Sequence, residues 1–142
     1  MSYEVEKHWV HNGYECVVIY GRHRCGYVGI TREHPLYGVG YGEKSKVLQD
    51  KLEWLKTQDI GKRGVIPCFA WDGESVSPEI YFNVHGGITF AGGEGKYPVN
   101  SDRWFYGFDC AHIDDNEPGG RSLEYCVSEC ESLADQLASV LP

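Results

Sequence analysis

The sequence predicts an α+β fold: a single domain over residues 1–142, with an antiparallel sheet made of an N-terminal meander plus two central strands. A C-terminal helix packs on that sheet, and an extra helix lies near residues 43–57. Three observations predict this. Asn12-Gly13 sits between two strand-like runs; apolar residues recur at helical spacing from Leu123 to Val140; and two central segments, Glu79 to Phe90 and Arg103 to Cys110, alternate in polarity. At 142 residues and 42% hydrophobic content, the chain is long and apolar enough for one core and needs no second domain.

The elements follow in order. Val5 to His11 and Tyr14 to Tyr20 flank Asn12-Gly13, a pair suited to the positive φ angles of a two-residue hairpin turn. Cys25 to Ile30 makes a third strand, with Gly26 and Gly29 marking close backbone approach. Thr31 to Gly42 is a long loop whose His34, Tyr37 and Tyr41 either stack on a ligand ring or, as the simpler expectation, pack the loop down. Glu43 to Thr57 reads as a helix through Val47, Leu48, Leu52 and Leu55. Asp59 to Gly64 ends it in a turn, and Val65 to Trp71 reads as an edge strand because Pro67 cannot donate to a ladder.

In the first central strand, Glu79 to Phe90, alternation puts Ile80, Phe82, Val84, Ile88 and Phe90 in the core and Tyr81, Asn83, His85 and Thr89 opposite, with Gly86-Gly87 bulging the strand. In the second, Trp104, Tyr106, Phe108 and Cys110 face one way, Arg103, Phe105, Gly107 and Asp109 the other. If the two strands pair across the spacer GGEGKYPVNSD, Asn83, His85, Thr89, Arg103 and Asp109 line one surface. Ser122 caps the final helix, whose apolar stripe is Leu123, Cys126, Cys130, Leu133 and Leu137.

Composition excludes several functions. A net charge of −8 is poor for gripping a phosphate backbone, which argues against direct binding of long nucleic acid. The acid is concentrated: Asp109, Asp114, Asp115, Glu117, Glu124, Glu129, Glu131 and Asp135 share their stretch with one base, Arg121. A solvated helix face explains this most simply, and a surface offered to a basic partner is the sharper reading. No run is apolar enough to cross a membrane and MSYEVEKHWV is not a signal peptide, so a cytoplasmic location is expected. The six cysteines are then read as mostly reduced, and none forms the CxxC pair of a zinc module. There is no P-loop and no GxSxG elbow, and no cofactor is expected.

The candidate site is His85, Asp109, His112 and Asp115, with Arg121 nearby, because imidazoles and carboxylates serve metal binding and proton transfer alike. A metal, though not the favoured occupant, would fall to His85, His112 and Asp115. The same residue types also serve as structural hydrogen bonds. For a ligand, the binding set is Asn83, His85, Thr89, Arg103, Asp109, His112, Asp115 and Arg121. Tyr37, Tyr41 and Phe105 could add stacking surfaces for a small nucleotide.

The stretches CGYVGITREHPLYG, NVHGGITFAG and WFYGFDCAHIDD, followed by RSLEYCVSECESLADQLA, resemble an uncharacterised family widespread in tailed bacteriophages and prophages. In that family a HGG-[LI]-T-[YF] block precedes a GFD-[CT]-AH-x-x-D block and a helix with EY near its start and LAxQL near its end. Its recurrent polar residues fall on His85, Asp109, His112, Asp115, Arg121 and Glu124. The Lys-rich insertion from Glu43 to about Gly64 and Asp114, where relatives often have Gly, depart from the pattern. The resemblance implies a phage-encoded accessory protein in the host cytoplasm. The favoured expectation is counter-defence by binding, either sequestering a small nucleotide signal or blocking a host defence protein. The alternatives are a metal-dependent hydrolase using His85, Asp109, His112 and Asp115, and an acidic nucleic-acid mimic such as an anti-CRISPR inhibitor. A homo-oligomer is compatible with each.

Overall fold

The computed structural model describes residues 3–57, 76–109 and 122–141. Its strands are β1 (Glu4–His11), β2 (Tyr14–Tyr20), β3 (Arg24–Ile30), β4 (Phe90–Gly95) and β5 (Ser101–Asp109). Its helices are α1 (Lys46–Thr57), α2 (Pro78–Tyr81) and α3 (Leu123–Ser139). The strands form one sheet in the order β1-β2-β3-β5-β4, every neighbouring pair antiparallel. With α3 packed on one face, the architecture is α+β, as the sequence predicts.

The N-terminal meander forms as expected. Asn12 (φ 54°) and Gly13 (φ 83°) take the left-handed conformations of a tight hairpin turn and set Trp9 opposite Cys16 and His11 opposite Tyr14. The strand period then sends Cys16, Val18, Val28, Tyr106 and Phe108 to the face covered by α3. Val17, Ile19, Tyr27 and Phe105 form a smaller apolar cluster on the other face.

Helix α3 starts where its cap dictates: the Ser122 side chain accepts the Tyr125 amide at 3.2 Å. It buries Cys126, Cys130, Leu133, Ala134 and Leu137 against the sheet. Close approach depends on Gly26, because a Cβ there would lie 2.4 Å from Phe108 Cζ and 2.7 Å from Cys130 Sγ. Helix α1 begins at Lys46 rather than Glu43, because Ser45 is held extended in a bridge to Val76, its amide donating to Val76 O at 2.9 Å. Among the described residues no helix is long and apolar enough to cross a membrane.

The loop from Thr31 to Gly42 is packed down by its own residues. His34 and Leu36 are buried, and Tyr106 and Trp104 donate to the Val39 carbonyl at 2.6 and 3.2 Å. Tyr41 stays exposed.

The first central strand is a correction. Glu79 to Phe90 is not a strand: Pro78 opens the short helix α2, and an irregular segment runs from Phe82 until β4 begins at Phe90. Pro78 suits the first turn of a helix, and Gly86 (φ 69°) and Gly87 (φ 85°) turn the chain where a strand would have to stay extended. Phe82, Val84 and Ile88 are buried all the same, whereas Ile80 is exposed and Tyr81 is buried. The strand beside β5 is instead the start of the Gly-rich spacer, FAGGEG. At Gly93 a Cβ would lie 2.7 Å from the Arg103 carbonyl, so the glycine permits this pairing. The expected turn at Asp59 to Gly64 and edge strand at Val65 to Trp71 lie outside the described residues.

Candidate functional site

Because Glu79 to Phe90 is not a strand, the expected common surface of Asn83, His85, Thr89, Arg103 and Asp109 does not form. The two histidine-bearing regions lie on opposite sides of the sheet.

On the side of α3, Asn83 and His85 fasten the segment after α2 to that helix. The Gln136 amide pairs with the Asn83 main chain in both directions, accepting its N–H at 2.8 Å and donating to its carbonyl at 2.8 Å. The His85 amide donates to Glu129 Oε1 at 2.7 Å, and its ring Nδ1 lies 2.9 Å from the Tyr125 hydroxyl, the two rings edge to face. Tyr125, Glu129 and Gln136 fall on one stripe of α3, so a helix face supplies the bonds that a neighbouring strand would have made. Farther along, Glu131 accepts from Trp9 Nε1 at 3.1 Å and Asp135 lies 3.0 Å from His11 Nε2. Three acids of the acidic block, Glu129, Glu131 and Asp135, thus have partners within the chain.

Arg103 and Asp109 share the face opposite α3, at opposite ends of β5. Arg103 donates to the carbonyls of Gly13 and Gly29 at 3.0 and 3.2 Å and lies 3.6 Å from Glu15, tying the hairpin turn to β5. Thr89 is exposed, and its amide donates to Gly107 O at 2.9 Å. His112, Asp115 and Arg121 lie outside the described residues.

Asp109 is the predicted residue that the structure places in company not foreseen. Its register partner is Cys25 on β3, and His23, two residues before Cys25, puts Nε2 3.0 Å from Asp109 Oδ1. One donor atom each from His23, Cys25 and Asp109 lies within 4.8 Å of the others, the one such group of three among the described residues. Burial, reinforced by the Asp109 charge, pushes the Cys25 thiol up to about 11, while a hydrogen bond with the Tyr27 side chain pulls the other way.

Beside this group a groove of about 690 Å³ opens, lined by Tyr3, Ile19, Gly21, Arg22, His23, Cys25 and Tyr97. Its aromatic wall is a cluster: Tyr97 stands edge to face with Tyr3, Tyr27 and Phe90 at centroid distances of 5.3, 5.4 and 5.6 Å. The Tyr27 and Tyr97 hydroxyls are hydrogen-bonded, and burial holds both above the ordinary tyrosine value. Tyr27 in turn lies over Gly107, where a Cβ would come within 2.5 Å of its ring. Arg22 is exposed and has no ion pair among the described residues.

The sequence reading missed His23, Cys25, Tyr3 and Tyr97. For the first two a signal exists: His23-x-Cys25 at the entry to a strand puts both side chains on one face. Tyr3 and Tyr97 are 94 positions apart and carry none. Comparison with protein-family models, with curated proteins and with solved structures finds no match.

Proposed function

We propose that this chain is a small binding protein that sequesters a nucleotide-like ligand in the groove lined by Tyr3, Tyr97 and Arg22, and that it serves a phage as a counter-defence factor. The observation that carries the reading is the groove itself: Tyr3 and Tyr97 stand beside Arg22 and His23 in a chain of net charge −8. Its volume of about 690 Å³ suits a small molecule. A tyrosine face stacks on a base, and a guanidinium reads phosphate, so the local chemistry favours a planar anion whatever the overall charge. The phage assignment draws its support from the sequence resemblance. The companion reading, occlusion of a host defence protein, is supported by β1, a sheet edge whose Val5 and Val10 are exposed.

Calorimetric titration of the full chain with a panel of cyclic dinucleotides and ADP-ribose-type nucleotides tests the groove. The expected result is saturable binding that Tyr97→Ala and Arg22→Ala each weaken by at least about fivefold, the lower end of what base stacking contributes. No binding across the panel, or wild-type affinity in both folded variants, overturns it. Capture of one host protein that is lost on Val10→Lys, with no nucleotide bound, moves the function to the β1 edge.

A further inference from the structure

We infer that His23, Cys25 and Asp109 form a binding site for a zinc-class divalent cation at the rim of the groove. The strand pairing builds the site. Cys25 and Asp109 are direct partners across β3 and β5, and His23 reaches the same carboxylate from the turn before β3, its Nε2 already 3.0 Å from Asp109 Oδ1. No backbone change is needed to bring the three donors together; they lie within 4.8 Å of one another. Tetrahedral zinc, with bonds of roughly 2.0–2.3 Å, sets donor separations near 3.5 Å, so side-chain rotation alone closes the gap.

The donor set selects the metal class. A thiolate with an imidazole favours zinc and its soft or borderline neighbours, whereas magnesium and calcium require oxygen cages. His23 and Cys25 both line the groove, so an ion held by them stands at its wall. Tyr27, two residues along β3 from Cys25 and hydrogen-bonded to Tyr97, stands on the same face as outer support for the site. The site differs from the set expected from sequence: it shares Asp109 with the hydrolase reading but does not use His85, which bonds to α3.

The test uses full-length protein stripped with chelator, desalted, and titrated with zinc alone by calorimetry and with cobalt(II) as the spectroscopic stand-in. Neither arm contains a nucleotide, so its outcome is independent of the groove's organic ligand. The expected result is one ion per chain and a thiolate-to-cobalt charge-transfer band that Cys25→Ser abolishes. Zinc binding should weaken at least about tenfold in His23→Ala, Cys25→Ser and Asp109→Asn, remain wild type in His85→Ala, and be absent for magnesium and calcium. Circular dichroism and a thermal melt confirm that each variant is folded, and His23→Ala, a change in a turn, keeps the test intact if Cys25→Ser is not. The inference is overturned by the absence of a saturable zinc site, by a cobalt spectrum without the thiolate band, or by wild-type affinity in His23→Ala. Loss in His112→Ala with His23→Ala unaffected also overturns it, by placing the ion elsewhere.

Discussion

The two faces of the sheet hold similar residues and use them differently. On the face under α3, polar groups meet protein: Asn83 pairs with Gln136, His85 with Tyr125 and Glu129, and His11 with Asp135. On the opposite face, His23, Cys25 and Asp109 converge on one another at the rim of a groove that Tyr97 and Arg22 also line. A histidine beside an acid therefore says little about function until its face is known. Packing against a helix turns such residues into fasteners, and a place beside a groove leaves them near a ligand.

The largest expected effect comes from putting the same methyl group on each face. Gly26→Ala pushes a Cβ to 2.4 Å from Phe108 and 2.7 Å from Cys130, both fully buried under α3, and should destabilise by about 1–3 kcal/mol in urea unfolding. Gly107→Ala presses the Tyr27 ring at 2.5 Å, a ring that belongs to the smaller apolar cluster on the other face. Its stability cost should be the smaller one, with the change appearing in ligand binding at the groove. If Gly107→Ala proves the more damaging to stability, the face opposite α3 is as tightly packed as the face under it and the contrast fails.

A smaller effect separates fasteners from ligand groups. Gln136→Ala removes two hydrogen bonds to the Asn83 main chain at a solvent-accessible position, so water replaces part of what is lost. The expected cost is about 0.5–1.5 kcal/mol, with faster hydrogen exchange at Asn83. Arg22→Ala should leave stability within about 0.5 kcal/mol, as substitutions of exposed residues usually do. Equal losses in the two variants would mean that Arg22 is structural as well.

These results show how far sequence reading reached. The hairpin, the third strand, β5 and α3 were legible because each is set by local chemistry: Asn12-Gly13 by its positive φ angles, α3 by Ser122 and a stripe at helical spacing. Glu79 to Phe90 misled because its apolar residues do become buried, at Phe82, Val84 and Ile88, through loop packing rather than pleating. Alternation records burial, and burial has more than one cause; Pro78 and the Gly86-Gly87 pair held the information that alternation lacked. The partners of His85 were half visible, since Tyr125, Glu129 and Gln136 share a helix stripe, but only docking of α3 shows what that stripe meets. The grouping of Asp109 with His23 and Cys25 needed the β3–β5 pairing, a contact across most of the chain that no local pattern encodes.

A further expected effect concerns pH and a histidine on the side of α3. His34 Nε2 donates to the Leu137 carbonyl at 2.9 Å, and its Nδ1 accepts the Leu36 amide at 3.1 Å, so its partners select one neutral tautomer. A proton on Nδ1 would face the Leu36 N–H, and burial already holds the ring below its ordinary value of 6.5. Above pH 6.5 both folded and unfolded chains carry a neutral His34, and its contribution is complete. As pH falls from 6.5 through the lowered folded value, the unfolded chain takes up a proton that the folded chain refuses, and stability drops by no more than about 1.4 kcal/mol per pH unit. The useful quantity is a difference between variants, which removes every contribution other than that of position 34. His34→Gln keeps a donor for Leu137 but cannot titrate. It should be less stable than wild type at pH 7.5, and the gap should narrow steadily toward pH 5 in urea unfolding. A gap that stays constant across that range would mean that His34 is held by packing alone, and that protonation of the ring is accommodated within the fold.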